Sequence, residues 1–310
     1  MKIAMVGAGG VGGYFGAGLA RGGGDVHFIA RGAHLAAMRE HGLRIEGQGE
    51  PVVLAKIQAT DDPAAIGTAD LVVIGVKLWD TAATLEQVRP LIGPATTLVS
   101  FQNGVTKSDL LRERFPAAHV MDGVAYVATT IERPGVIRRT GPLERLVFGE
   151  IAGGSSPVGE KLLEIALKGG INAELSADVR REVWQKFVFL IGLSATTSSM
   201  RSRIGPIRTN PLTRAFLLDV MREVVAVGRA QGVGLAEDYA EQRLAFADAV
   251  AADMTSSMHH DLERGNRLEL PWLSGAVVEL GAKAGVPTPL NRAVRDILTL
   301  HAGGSQSAKG

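Results

Sequence analysis

The chain has 310 residues, about twice the size of a common domain, so two compact units or one large α/β domain are expected and a miniprotein is excluded. Lys and Arg total 33 against 32 Asp and Glu, a net charge of +1 that offers nucleic acid or an anionic membrane no global field. Cysteine is absent, which removes disulfides, thiolate nucleophiles and Cys-ligated metal. The longest apolar runs, Leu71 to Val76 and Phe187 to Leu193, fall far short of the roughly 20 residues that cross a bilayer. Lys2 leads straight into an apolar run, without the basic segment and cleavage site of a signal peptide, so a soluble, cytoplasmic protein is expected.

Lys2 to Val6 reads as a first strand that ends on a glycine cluster, and Tyr14 to Arg21 has the spacing of a helix. After the break Gly22–Gly24, Val26 to Ala30 reads as a second strand, completing a βαβ unit. Gly42 to Gln58 is hairpin-like. Leu71 to Val76 and Thr97 to Phe101 are further strands around a helix from about Thr81 to Leu91, which Pro90 and Pro94 help to end. His119 to Glu150 is strand-rich, with Pro134-Gly135 and Gly141-Pro142 as turn signals, and is expected to add antiparallel strands at the far edge of the sheet. Beyond Leu175 the apolar spacing becomes helical, as in Val183 to Leu193, Phe216 to Val227 and Leu273 to Ala284. The predicted fold is therefore α/β: a Rossmann-type doubly wound sheet over residues 1–175, an all-helical C-terminal domain over 176–302, and a disordered tail over 303–310. No fixed-period repeat is visible.

Gly7-Ala8-Gly9-Gly10-Val11-Gly12 matches G-x-G-x-x-G, but 39 glycines in 310 residues produce about 0.6 such matches by chance, so the string alone decides little. Its context decides more: it closes a strand, opens a helix and precedes a second strand. In that setting Gly7 makes a tight turn, Gly9 lets backbone approach a pyrophosphate, and Gly12 lets helix and strand pack closely, while Gly10 and Val11 open the helix whose N–H groups face the anion. At the end of the second strand, where an NAD-binding chain places an acid for the ribose 2′-hydroxyl, the text is Ile29-Ala30-Arg31. A guanidinium suits a 2′-phosphate, so NADPH is the expected cofactor; a solvated arginine ahead of a helix is the alternative.

Gly75-Val76-Lys77 and Phe101-Gln102-Asn103-Gly104 each end a predicted strand, and with the glycine string and Ile-Ala-Arg they occur in an order that resembles the ketopantoate reductase (2-dehydropantoate 2-reductase) family along nearly the whole chain. The resemblance implies that Lys77 and Asn103 line the nicotinamide side of the cofactor cleft, beyond the carboxyl ends of parallel strands. Read alone, Asn103-Gly104 is a turn and Lys77 a solvated strand end.

In the helical half, Trp184-Gln185-Lys186-Phe187 is similar to the family segment with the catalytic lysine. Ser256-Ser257-Met258, with Glu269 twelve residues after Ser257, is similar to its substrate serine and partner carboxylate. The resemblance implies reduction of 2-dehydropantoate to pantoate, in pantothenate biosynthesis, with Lys186 as general acid, Glu269 orienting it, Ser257 and Ser194 among the substrate contacts, and no metal. Without it, Lys186 reads as a snorkelling helix residue and Glu269 as part of a solvated face.

Four positions depart from the family pattern: Leu190, Ser194, Ile204 and Met254 stand where its members typically carry substrate-gripping asparagines. Each lost amide contact removes about 0.5–1.5 kcal/mol, which weakens the inference to this substrate and keeps a second small keto acid or carbonyl compound in view. Arg201, Arg203 and Arg208 are candidates to anchor a carboxylate instead. A non-catalytic NADPH-binding sensor is the rival of another class, and Lys186 argues against it. His259-His260-Asp261 is a poor metal motif, because adjacent helical residues diverge by about 100°. There is no G-x-S-x-G elbow for a hydrolase, and the basic stretch Arg201 to Arg214 lacks the aromatics of a nucleic-acid platform. The expected partner is a small-molecule keto acid, with neither nucleic acid nor membrane; the apolar C-terminal helices leave room for a homodimer.

Overall fold

The computed structural model describes residues 1–116 and 119–305. Contacts divide the chain into two compact units, one of Met1–Asn103 with Lys107–Glu182, the other of Gly104–Thr106 with Val183 onward.

The first unit opens with strand β1 (Lys2–Val6), helix α1 (Gly10–Arg21), β2 (Asp25–Ile29) and α2 (Gly32–His41). It continues through β3 (Leu43–Gly47), β4 (Val52–Leu54), β5 (Gln58–Thr60), β6 (Leu71–Ile74), α3 (Thr81–Gln87), β7 (Thr97–Ser100) and α4 (Lys107–Arg112). It ends with β8 (Val120–Arg133), β9 (Val136–Glu150), α5 (Pro157–Lys168) and β10 (Ala173–Leu175). The sheet runs β4-β3-β9-β8-β7-β6-β1-β2-β5, with β10 also paired to β9. From β5 to β8 all neighbours are parallel; β8 with β9 and β3 with β4 are antiparallel, at the far end from β5.

Side chains on a strand alternate faces, and here both faces are covered. Ile3 and Met5 join one buried cluster with Phe15 of α1 and Leu162 of α5, whereas Ala4 and Val6 join another with Leu85 of α3 and Leu111 of α4. Leu71 and Val73 divide from Val72 and Ile74 in the same way, which is why these strands read as continuous apolar runs. The chain runs from β1 to β2 on one side and later returns to β6 on the other side of β1, so the carboxyl ends of β1 and β6 form the switch point where the crevice of an open α/β sheet lies.

Pro134-Gly135 is the turn of the β8–β9 hairpin, as expected, but Gly141-Pro142 is not a turn. It lies inside β9, where the register slips from Ala128↔Thr140 to Val127↔Glu144 and residues 141–143 bulge out, with Gly141 at φ +71°. Arg139 and Glu144 flank the bulge and pair at 2.5 Å, and Arg139 also donates to Tyr14 Oη of α1 at 3.0 Å. Burial and the nearby Glu144 push the Tyr14 hydroxyl up to about 12.

α6 (Val179–Met200) begins in the first unit and continues into the second, which adds α7 (Ile204–Thr209), α8 (Pro211–Ala230), α9 (Tyr239–Ala249), α10 (Ser257–Glu263), α11 (Ser274–Ala284) and α12 (Pro289–Leu298). Every regular element described after β10 is helical, in agreement with the expected fold class. Phe187 and Ile191 of α6, Leu217 and Val224 of α8, Val277 of α11 and Val294 of α12 share one core. Asn210 caps α8, accepting from Leu212 N at 2.9 Å ahead of Pro211, and the Glu223 carboxylate accepts from Leu290 N and Asn291 N at the start of α12. Of the tail expected to be disordered, Ser305 donates from its backbone to Gly265 O at 2.8 Å; residues 306–310 lie outside the described residues.

Candidate functional site

The glycine loop joins β1 to α1 at the crevice. Gly7 adopts φ +92°, a conformation that side chains disfavour, and a Cβ there would lie 2.8 Å from Val76 N, at the carboxyl end of β6. A Cβ on Gly12 would lie 2.2 Å from the Gly7 carbonyl oxygen, so α1 can leave β1 at this closeness only with glycine. At Gly9 the reverse holds, for nothing lies within 4 Å of the Cβ position. Gly7 N and Ala8 N both donate to Ile29 O at 3.1 Å, which ties the loop to the end of β2. Gly10 and Val11 form the first turn of α1. Gly9, open directly before the N-terminus of α1, lets an extended anion such as a pyrophosphate approach the backbone, whereas a Cβ on Gly10 would lie 2.6 Å from Thr129 O of β8.

Arg31 is the exposed residue immediately before α2, and its Nη2 donates to Gln87 Oε1 at 2.6 Å. Lys77 is exposed just past β6, its ammonium 5.4 Å from the Trp79 ring centre. Asn103 is half-buried just past β7 and precedes Gly104, at φ +88°. All these residues stand beyond the carboxyl ends of parallel strands.

Two clamps hold these loops, and neither figured in the sequence reading. Gln102 Nε2 donates to Val76 O and Thr81 Oγ1, both at 2.8 Å, while its Oε1 accepts from Ser100 Oγ at 2.9 Å, so it joins the turn after β6 to the turn after β7. Lys107 is 1% exposed, and its ammonium donates to Ser100 O at 3.0 Å, to Gly123 O, and to Asp122 Oδ1 at 2.8 Å. Lys107 starts α4, and its buried partner Asp122 is brought to it by tertiary structure.

In the helical unit, Lys186 is half-buried on α6 between Trp184 and Phe187, both of the core. Glu269 is 6% exposed and begins the short turn Leu270–Trp272; its neighbours Leu268 and Leu270 belong to that same core. Positions 186, 190, 194 and 197 follow one face of α6 at the helical repeat. At the far end of this face Thr197 Oγ1 and Ser256 Oγ lie 3.0 Å apart, and Ser256 caps α10 by accepting from His259 N at 3.1 Å. Ser257 is therefore the first, exposed residue of α10. Thr196, Thr197 and Ser199 all donate back to carbonyls four residues earlier, whereas the buried Ser194 and Ser198 hydroxyls do not and have no partner among the described residues.

A model of the family described as "Ketopantoate reductase PanE/ApbA" matches residues 3–153, and its C-terminal counterpart matches residues 178–302. The chain belongs to the ketopantoate reductase family. A 2-dehydropantoate 2-reductase of Mesorhizobium japonicum is 32% identical over 315 residues, covering 95% of both chains. The solved structure of a PanE/ApbA family ketopantoate reductase from Ralstonia eutropha JMP134 has 34% identity and a TM-score of 0.88, covering 97% of this chain and 98% of the other. A D-mandelate dehydrogenase shares the fold, with a TM-score of 0.88, 20% identity, and coverage of 97% of this chain and 98% of that one.

In this ketopantoate reductase family chain, the four departing positions behave differently from one another. Ile204 is fully buried in the core and its N–H donates to Met254 O at 3.0 Å, so the two meet through backbone. Leu190 and Met254 are half-buried against that core. Of the arginines, Arg208 donates to Ala247 O at 2.7 Å and Val250 O at 2.6 Å, capping the end of α9. Both bonds come from Nη1, so this nitrogen of the guanidinium is engaged with backbone. Arg203 donates to Asp253 O, and Arg201, at φ +48°, lies 3.2 Å from His301 Nε2. His259 and His260 stack, with their rings 6.4 Å apart, and no cluster with metal-ligand geometry occurs among the described residues. No helix of the described residues is long and apolar enough to cross a membrane.

Proposed function

We propose that this chain reduces the keto group of a 2-keto acid with NADPH, 2-dehydropantoate being the first substrate to test. The observation that carries the reading is the glycine cradle: Gly7 turned at φ +92°, Gly12 against the Gly7 carbonyl, and Gly9 open to solvent. Gly9, Gly10 and Val11 would hold the pyrophosphate, Arg31 a 2′-phosphate, and Lys77 and Asn103 the nicotinamide end. When bound, the cofactor supplies a hydride to the carbonyl carbon.

The chain's own part is charge and proton management. Negative charge grows on the carbonyl oxygen as the carbon is reduced, and the Lys186 ammonium stabilises that charge and gives up a proton to the oxygen. Glu269 is the carboxylate that orients the ammonium, and Ser257 and Ser194 offer hydroxyls to the substrate. The family match and the relatives named 2-dehydropantoate 2-reductase support this substrate. A second reading, a 2-keto acid with a more apolar substituent, is favoured by Leu190 and Met254, which present half-buried hydrocarbon.

Lys186→Ala tests the assignment. Turnover is expected to fall by about 10²–10⁴ while the NADPH dissociation constant stays within about threefold, since a positioned acid acts on the chemical step. Unchanged turnover on the best substrate would remove Lys186 as the proton donor. Steady-state comparison of 2-dehydropantoate with bulkier apolar 2-keto acids separates the two substrate readings.

A further inference from the structure

His34, the third residue of α2, faces the glycine loop on one side and the tip of the β8–β9 hairpin on the other. Its Nε2 lies 2.9 Å from Ala8 O, and its Nδ1 lies 3.1 Å from Gly135 N. The Gly135 amide has one hydrogen and no acceptor to offer, so it donates, and Nδ1 must hold a lone pair. The ring is then neutral with its proton on Nε2, and that proton goes to the Ala8 carbonyl. Burial keeps the imidazole below its usual 6.5, in keeping with the neutral tautomer.

Ala8 is the middle residue of Gly7-Ala8-Gly9, and the bond from His34 fixes more than a carbonyl. The Ala8–Gly9 peptide is planar and trans, so its C=O and N–H point in opposite directions. Holding the Ala8 oxygen toward α2 turns the Gly9 N–H the other way. A flip of this one peptide would exchange a donor for an acceptor, presenting a carbonyl dipole to any anion in the cradle. Ala8 itself is buried with its N–H committed to Ile29 O, so the loop is held at its start by β2 and at its centre by His34.

We propose that His34 is a positioning residue of the cofactor site, which locks the Ala8–Gly9 peptide with its N–H directed at the cofactor pyrophosphate. The inference rests on the dinucleotide reading of the glycine loop. It assigns a role to the Nε2 bond in particular, whereas the Nδ1 bond to Gly135 serves to hold the ring in the required tautomer and orientation.

The two bonds can be separated by substitution. A glutamine amide reaches the position of Nε2 and can donate to Ala8 O; an asparagine reaches only the position of Nδ1 and can accept from Gly135 N. NADPH is titrated calorimetrically into the full chain and into His34→Ala, His34→Gln and His34→Asn, with the melting temperature of each recorded. His34→Ala and His34→Asn should raise the NADPH dissociation constant about tenfold or more, the scale of one charge-assisted hydrogen bond, and His34→Gln should restore it to within about threefold. A dissociation constant within twofold of the unmutated value in His34→Asn, or equal values for the asparagine and glutamine variants, overturns the inference. Absence of NADPH binding by the unmutated chain is a different result: it overturns the dinucleotide reading and the role of His34 together.

Discussion

In the α/β unit the candidate residues depend on backbone. Gly7 and Gly12 act through the space they leave, and Lys77 and Asn103 sit on turns pinned by Gln102 and by the Lys107–Asp122 pair. In the helical unit the candidates are side chains projecting from α6, α10 and the turn at Leu270–Trp272, on a scaffold fixed by apolar packing. The contrast teaches where each kind of substitution acts. A change at Gly7 or Gly12 is expected to alter geometry and stability together, whereas replacing Lys186 is expected to leave the apolar core of its helix in place and to act on the chemical step.

The largest effect expected from this contrast is on stability. Lys107→Met leaves the Asp122 carboxylate buried without its cation and should destabilise the α/β unit by about 3–5 kcal/mol, read by denaturant unfolding. Asp122→Asn with Lys107→Met together should recover part of the loss. A Lys107→Met variant as stable as the parent would show that the clamp contributes nothing.

Gly12→Ala comes next. Its Cβ would meet the Gly7 oxygen at 2.2 Å, so α1 must move away from β1, at about 1–3 kcal/mol, and NADPH binding should be lost well below the melting temperature. Gly9→Ala, where space is open, should leave stability nearly unchanged and weaken only NADPH. Equal losses of stability in the two variants would contradict the distinction between a packing glycine and a ligand-facing one.

Arg31→Ala should reduce the preference for NADPH over NADH about tenfold, as expected for one charge-assisted contact to phosphate, without moving the melting temperature. Equal dissociation constants for the two cofactors in the unmutated chain would remove that role from Arg31.

The smallest effect concerns pH. Burial holds both His34 and His259 below their usual 6.5, one in each unit. The folded chain then binds fewer protons than the unfolded one as pH falls below 6.5, so stability should decline through that window and level off beneath the folded-state values. Stability measured from pH 7.5 down to about 5 should show this slope, with a shallower one in His34→Gln or His259→Gln.

Much of the α/β unit was legible because its physics is local. Ile3 and Met5 pack on one face and Ala4 and Val6 on the other, so a strand covered on both faces leaves an uninterrupted apolar run before a glycine string. Gly141-Pro142 misled for a local reason too: a bulge needs the same positive-φ glycine that a turn does, and only the pairing partners tell them apart. β10 is three residues long, too short for any alternation to register. Lys107, Gln102 and His34 were not legible, since the partners that define them lie up to 101 residues away in sequence. In the helical unit periodicity identified the helices, but the meaning of Lys186, Ser257 and Glu269 came from resemblance, because a lysine or glutamate on a helix has the same local pattern whether it meets solvent or a substrate.

The central claim is that the glycine cradle and Lys186 serve one reaction. It is tested most directly by following NADPH absorbance in the presence of 2-dehydropantoate and a panel of other 2-keto acids, with the unmutated chain and with Lys186→Ala. The account predicts NADPH oxidation that requires a 2-keto acid, saturates with it, and falls at least a hundredfold in the variant, about 2.7 kcal/mol of lost transition-state stabilisation. Tight NADPH binding with no oxidation by any 2-keto acid would contradict it.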